Sequence, residues 1–131
     1  MFFLFIQHMK IEILYSEISN YIKNTLGTNL NITYISPTRI QISQTIVRAD
    51  LIIVERRKSS IDVVGENLSV AAKLLLPRIE NIEGIDRLGG YKFAIRFGQM
   101  DVLKEFFKVM ELVKVEFCET GIKIETKERD V

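Results

Sequence analysis

The chain has 131 residues, 47% hydrophobic and 27% charged, with Lys and Arg at 18 against Asp and Glu at 17. That balance excludes a disordered segment and fits a single globular domain over residues 1–131. A net charge of +1 disfavours nucleic acid as a partner, and a single cysteine excludes an internal disulfide, which suits a cytoplasmic protein.

Residues 1–6, MFFLFI, are too short for a membrane span and lack the basic start and small cleavage residues of a signal peptide. They are expected to add a strand at a sheet edge, or residues 1–8 form a loosely attached extension ahead of Met9. Alternation over 10–14 predicts a strand. Ser16 is placed to cap a helix whose stripe is Ile18, Tyr21, Ile22 and Leu26, and Gly27 to end it. Two alternating runs, 30–34 and 39–43, form a hairpin around Ser36, Pro37 and Thr38.

The stretch from Val47 to Ile79 then reads as a strand, a charged turn, a second strand, a glycine and a short helix. Residues 49–54 are apolar on both faces, as in a strand covered on both sides. Asn67 is expected to cap the helix, with Leu68, Ala71, Ala72 and Leu75 facing inward, and Pro77 to break it. Residues 79–90 read as a loop punctuated by Gly84, Gly89 and Gly90. This hairpin, glycine and helix resembles the corresponding part of a TATA-box-binding-protein half-repeat. The likeness covers about thirty residues and implies topology alone, so no functional residue is carried across. The chain also lacks the helix that would close a second half-repeat.

A second unit repeats the first. Tyr91, Phe93, Ile95 and Phe97 alternate on one face of a strand. Asp101 is a plausible cap for a helix over 101–112, in which Leu103, Phe106, Phe107 and Met110 recur at helical spacing. Val113, Val115 and Phe117 alternate in a further strand, and Ile122 and Ile124 point inward from the return strand. Residues 126–131 are expected to fray. The interval from Lys10 to Ile32 matches that from Lys92 to Lys114, which marks an internal repeat. The expectation is an α+β fold. Its curved, mainly antiparallel sheet carries about three helices on one face and is built from two βαββ-like units around a central β-hairpin plus helix.

Chemistry-bearing residues are sparse. His8 is the only histidine, which argues against a zinc site or a Ser–His–acid triad at Ser59, Ser60 or Ser69. Cys118 reads as a small residue on a strand face. No cofactor or metal is implied, and an enzyme is less favoured than a binding module, although an enzyme with an unrecognised catalytic set stays open. The leading expectation is a non-enzymatic module acting through self-association or through an apolar ligand pocket between sheet and helices. Tyr91, Phe93, Phe97, Phe106 and Phe107 would line that pocket, with Asp86 and Arg87 from the glycine-containing loop binding polar groups. Core packing is the competing role for the rings. The alternative is a nucleic-acid-binding module using Arg56, Arg57 and Lys58 at a hairpin tip and Lys92 and Arg96 on a sheet face.

Overall fold

The structure, a computed structural model, describes residues 8–76 and 82–129. The chain runs β1 (His8–Leu14), α1 (Tyr15–Leu26), β2 (Asn31–Ser36), β3 (Arg39–Gln44), β4 (Val47–Arg56) and β5 (Ser60–Glu66). It continues as α2 (Val70–Leu75), β6 (Ile85–Gly89), β7 (Lys92–Arg96), a 3-10 turn (Phe97–Gln99), α3 (Phe106–Val109), β8 (Met110–Phe117) and β9 (Gly121–Glu128). The fold is α+β: antiparallel, curved sheet with three helices packed alongside. Irregular register between Tyr34 and Ser36, Ile53 and Glu55, Arg87 and Gly89, and Leu112 and Lys114 bends the strands.

The strands form two sheets rather than one: a six-stranded sheet in the order β2-β3-β4-β5-β7-β6 and a three-stranded sheet in the order β1-β9-β8. The two βαββ-like units are therefore divided reciprocally. In the first, the leading strand β1 joins the small sheet and the hairpin β2–β3 the large one. In the second, β7 joins the large sheet and the hairpin β8–β9 the small one. Apolar register explains why β1 leaves its own hairpin, since Ile11 lies opposite Ile124 and Ile13 opposite Ile122. Gly121 makes that pairing possible, because a Cβ there would collide with the Ile13 carbonyl and the Leu14 Cα. The outer edge of β8 meets two hairpin tips of the large sheet. Leu112 N donates to Lys58 O and Phe117 N to Pro37 O, each at 2.8 Å.

Between the sheets lies one core, in which Ile40, Ile42, Ile61, Val63 and Phe93 meet Phe107, Leu112, Phe117 and Ile124. Several local expectations are corrected here. The helix expected over 101–112 is a single turn, α3, preceded by turns. Met110 has already begun β8 by pairing with Glu128, which ends the helix early. Phe107 and Met110 are nevertheless buried, so the apolar spacing found the inward side without the right backbone.

Residues 85–89 form β6 instead of loop, paired along β7, while 79–81 lie outside the described residues. The expected fraying at 126–131 stops short of β9, where Thr126 is fully buried; residues 130–131 lie outside the described set. His8 belongs to β1 opposite Lys127, and residues 1–7 fall outside the description, as does Pro77.

Caps also differ from expectation. Ser16 lies inside α1, and the Leu14 N–H instead donates to Glu17 Oε1 at 3.2 Å. Gly27 ends α1 as expected, with a positive φ of 70° and its N–H on Lys23 O. Ser69, not Asn67, caps α2, its hydroxyl accepting from Ala72 N at 3.2 Å. That later start turns Ala72 and Leu76 inward and leaves Leu75 on the outside. β4 is central in its sheet, but only one of its faces is apolar core: Ala49, Leu51 and Ile53 face inward, and Asp50 faces the other way.

Candidate functional site

The aromatic residues belong to the core or pack against it. Phe93, Phe97 and Phe107 are buried core, and Tyr91 and Phe106 pack against them. Phe97 and Phe107 stack with ring centroids 6.0 Å apart, and Phe106 meets Phe107 edge-on at 5.2 Å. Asp86 and Arg87 lie on the edge strand β6, away from this ring cluster's interior. Asp86 accepts from Arg96 Nε at 2.5 Å, and Arg87 Nε donates to Gly90 O at 3.0 Å. Packing places the rings in the interior and the polar pair on the rim.

Of the second candidate set, Lys92 and Arg96 lie on the outer face of the large sheet, and Arg56, Arg57 and Lys58 lie at the β4–β5 tip. Strand alternation puts Arg39, Gln41, Asp50, Ser60, Asp62, Lys92 and Arg96 on this face, opposite the core side chains. Most of its cations have internal partners. Arg56 Nη1 donates to Leu112 O at 2.7 Å, which stitches the hairpin tip to β8. Arg57 pairs with Asp62 at 2.5 Å and with Glu55 at 3.1 Å. Asp62 is wholly buried; its Oδ1 holds Arg57, while Oδ2 has no hydrogen-bond partner among the described residues and Lys92 Nζ lies 3.9 Å away.

Farther along, Arg39 bridges Asp50 at 2.7 Å and Glu66 at 3.0 Å. Asn67 and Gln41 also donate to Asp50, at 3.0 Å and 3.3 Å. Burial works to raise the Asp50 carboxyl, but the bonds from Asn67, Arg39 and Gln41 outweigh it and hold the group below its ordinary range. The same bonds, from Asp50 first and then Glu66, push the Arg39 guanidinium further up. These residues form a structural ion-pair lattice, and only Lys58 of the tip cations is left pointing outward without such a bond.

A cleft lies where this face meets the 3-10 turn, α3 and the end of β9. It has a volume of about 300 Å³ and is lined by Ser59, Ser60, Arg96, Gly98, Gln99, Lys104, Phe107, Lys108 and Arg129. Four of these carry positive charge and none is acidic. Arg96 is paired with Asp86, and Lys108 with Glu105 at 2.9 Å. Arg129 anchors through Nε to Phe107 O at 3.0 Å and Met110 O at 3.1 Å, which leaves its terminal nitrogens unused by those bonds. Of the lining residues, Arg96 and Phe107 were expected as site residues, though for different sites, and the other three cations were not. Lys104 and Lys108 stand four residues apart in sequence, a usable signal, but Arg129 sits in a segment expected to fray.

The outer face of the small sheet carries a second hollow, about 370 Å³, walled by Lys10, Glu12, Lys114, Glu116, Lys123 and Glu125. Its signs alternate in both directions: Lys10, Glu125 and Lys114 share one row, and Glu12, Lys123 and Glu116 the next. Cross-strand neighbours thus neutralise one another. The hydroxyl of Thr120 donates to Glu12 at 2.5 Å and holds its carboxyl below the ordinary range. Cys118 Sγ lies 3.6 Å from the same carboxylate.

Apolar side chains are also left outside. Val70 is 76% exposed, Leu74 67% and Leu75 47%, all on α2, and Ile46 is 73% exposed. Val70 and Leu74 share a face at i and i+4. Ser69 is held by Arg48 through two bonds, Ser69 N to Arg48 O at 2.9 Å and Arg48 N to Ser69 Oγ at 3.0 Å. The cap of α2 is therefore bonded to Arg48, which lies two residues along the chain from Ile46.

Among the described residues no group of three or more His, Cys, Asp or Glu side chains is placed to hold a metal ion. None of the described helices is long and apolar enough to cross a membrane. Comparison with protein-family models, curated proteins and solved structures yields no match.

Proposed function

We propose that the chain is a non-enzymatic binding module that works by self-association through the apolar face of α2. The observation that carries this reading is the exposure of Val70, Leu74 and Leu75 on a six-residue helix, with Ile46 close to its start. A soluble surface rarely leaves several large aliphatic side chains together in water unless something covers them. The face is isologous by construction: two copies of α2 related by a dyad present Val70 and Leu74 to each other.

Magnitudes set the strength of the contact. Completing the burial of four partly exposed aliphatic side chains contributes about 1 kcal/mol each, hence about 8 kcal/mol for two chains. Lost rotational and translational freedom opposes this by about 4–15 kcal/mol. Even at the lowest opposing cost about 4 kcal/mol remains, so the expected dimer is weak and reversible, populated only as the concentration approaches about 1 mM, and too small for an obligate interface.

Sedimentation equilibrium over that concentration range tests the reading. The wild-type protein should rise from one chain mass toward two, and Leu74→Lys, which puts a charge on an already exposed position, should stay at one. A wild-type protein that remains a monomer throughout, or a Leu74→Lys variant that dimerises equally, overturns it.

A further inference from the structure

We propose that the cationic cleft between the 3-10 turn and α3 is a binding site for a phosphate monoester, separate from the self-association face. Three independent features meet there. The first is charge. Arg96, Lys104, Lys108 and Arg129 line the cleft with no carboxylate among the lining residues. Among the described residues two of the four have an ion-pair partner, Arg96 in Asp86 and Lys108 in Glu105. Within that set two positive charges, on Lys104 and Arg129, have no ion-pair partner, which matches the charge of a phosphate monoester dianion near neutral pH. In a chain of net charge +1, this is a local concentration of positive charge rather than a general basic surface.

The second feature is donor geometry. Arg129 is fixed by its Nε to two backbone carbonyls, so its planar guanidinium presents its remaining donors from a set position. Ser60 is 5% exposed yet lines the cleft, and neither its hydroxyl nor that of Ser59 is hydrogen-bonded within the described residues. Hydroxyls at a cleft wall without another partner are ready donors to an oxyanion. Gly98 lies close against Ser59, where a Cβ would come within 3.3 Å of the Ser59 Cβ, so a larger residue there would need Ser59 to give by a few tenths of an ångström.

Size is the third feature. About 300 Å³ is at the lower bound for small-molecule sites and takes a phosphoryl group with a small attached residue. A nucleic-acid groove would need to continue past the cleft. Here the adjoining sheet face interleaves Arg57 and Lys92 with the exposed carboxylates of Glu55 and Asp86, so a phosphodiester chain leaving the cleft would meet negative charge. The Phe107 ring forms an apolar wall on one side.

The test is a titration with inorganic phosphate at constant ionic strength, followed through backbone amide shifts, with chloride as the reference anion. Saturable shifts are expected at Ser59, Ser60, Gly98 and Gln99. Lys104→Glu should weaken binding about ten-fold or more, since it reverses an uncompensated charge at the cleft. Lys104 is exposed, and no contact of its side chain holds the fold, so the variant should fold normally. Ser60→Ala should weaken binding by a smaller factor, and Lys23→Glu, on the distant helix α1, should leave it unchanged.

Shifts that never saturate, or equal weakening by Lys23→Glu and Lys104→Glu, overturn the proposal. A thymidine oligonucleotide that binds with steep salt dependence while phosphate alone gives no saturable shift also overturns it, in favour of a phosphodiester backbone. Neither Val70 nor Leu74 lines the cleft, so the outcome is independent of self-association.

Discussion

Replacing Tyr15 by Phe removes one hydroxyl at the point where the chain leaves the small sheet and enters α1. Tyr15 is buried, its hydroxyl donates to Cys118 O at 2.6 Å, and its backbone N–H donates to Thr120 O at 3.0 Å. One side chain thus ties the β1–α1 junction to the β8–β9 turn. Loss of a neutral, part-buried hydrogen bond costs about 1 kcal/mol, and phenylalanine preserves the packing. The same hydroxyl has a pH signature. Burial first, then negative charge at Cys118 and Tyr34, push its pKa from 10.0 to about 12.

The folded state therefore holds this proton more tightly than the unfolded chain. The stabilisation is fully present below pH 10 and is lost as pH rises from 10 toward 12. The loss runs at about 1.4 kcal/mol per pH unit, so the wild-type advantage of about 1 kcal/mol should vanish by about pH 11. Urea unfolding of both proteins from neutral pH into alkali measures the gap. Other titrating groups are common to both and cancel in the difference. Equal stability at neutral pH, or a gap that does not close in alkali, would refute the reasoning.

Gly121→Ala should destabilise the protein by about 3 kcal/mol or more, because the new Cβ meets backbone of β1 and no side chain can yield. Urea unfolding reads the loss, accompanied by faster exchange of the β1 amides; a near-wild-type midpoint contradicts the β1–β9 pairing. Asp50→Asn should flatten the acid limb of stability. The wild-type carboxyl is held below its ordinary 3.8, so its contribution is present above that pH and is lost as pH falls through the lower folded value. Acid titrations of both proteins by circular dichroism should converge at low pH, and parallel curves would dispose of the Arg39–Asp50 lattice as a source of stability.

Much of this fold was legible from local pattern. Alternation located β1, β2, β3, β7, β8 and β9, an apolar run on both sides of a charged turn located β4 and β5, and Gly27 marked the end of α1, because these signals are local. What was not legible depended on partners distant in sequence. Nothing near β1 says that its mate is β9 and not its own hairpin; that choice rests on apolar register and on the missing Cβ at Gly121. β6 escaped notice because its glycines and charges resemble a loop until β7 supplies the ladder. The helix expected at 101–112 failed for a related reason. Leu103, Phe106, Phe107 and Met110 must all face inward, and a run of turns followed by a strand satisfies that as well as a helix does.

The candidate site was less visible still. Its lining comes from four separated pieces of chain, and Ser60, Lys104 and Arg129 acquire meaning only once those pieces meet. On α2, the displaced start turned Leu75 from an expected core residue into part of an exposed face.

Hydrogen exchange at low and high protein concentration tests the self-association claim most directly, because it reports both whether a contact forms and where. The expected result is added protection at high concentration confined to α2 and to the turn around Ile46, with β1, β8 and β9 unchanged. Protection that is independent of concentration, or that grows on the small sheet instead, would contradict the assignment of α2 as the contact face.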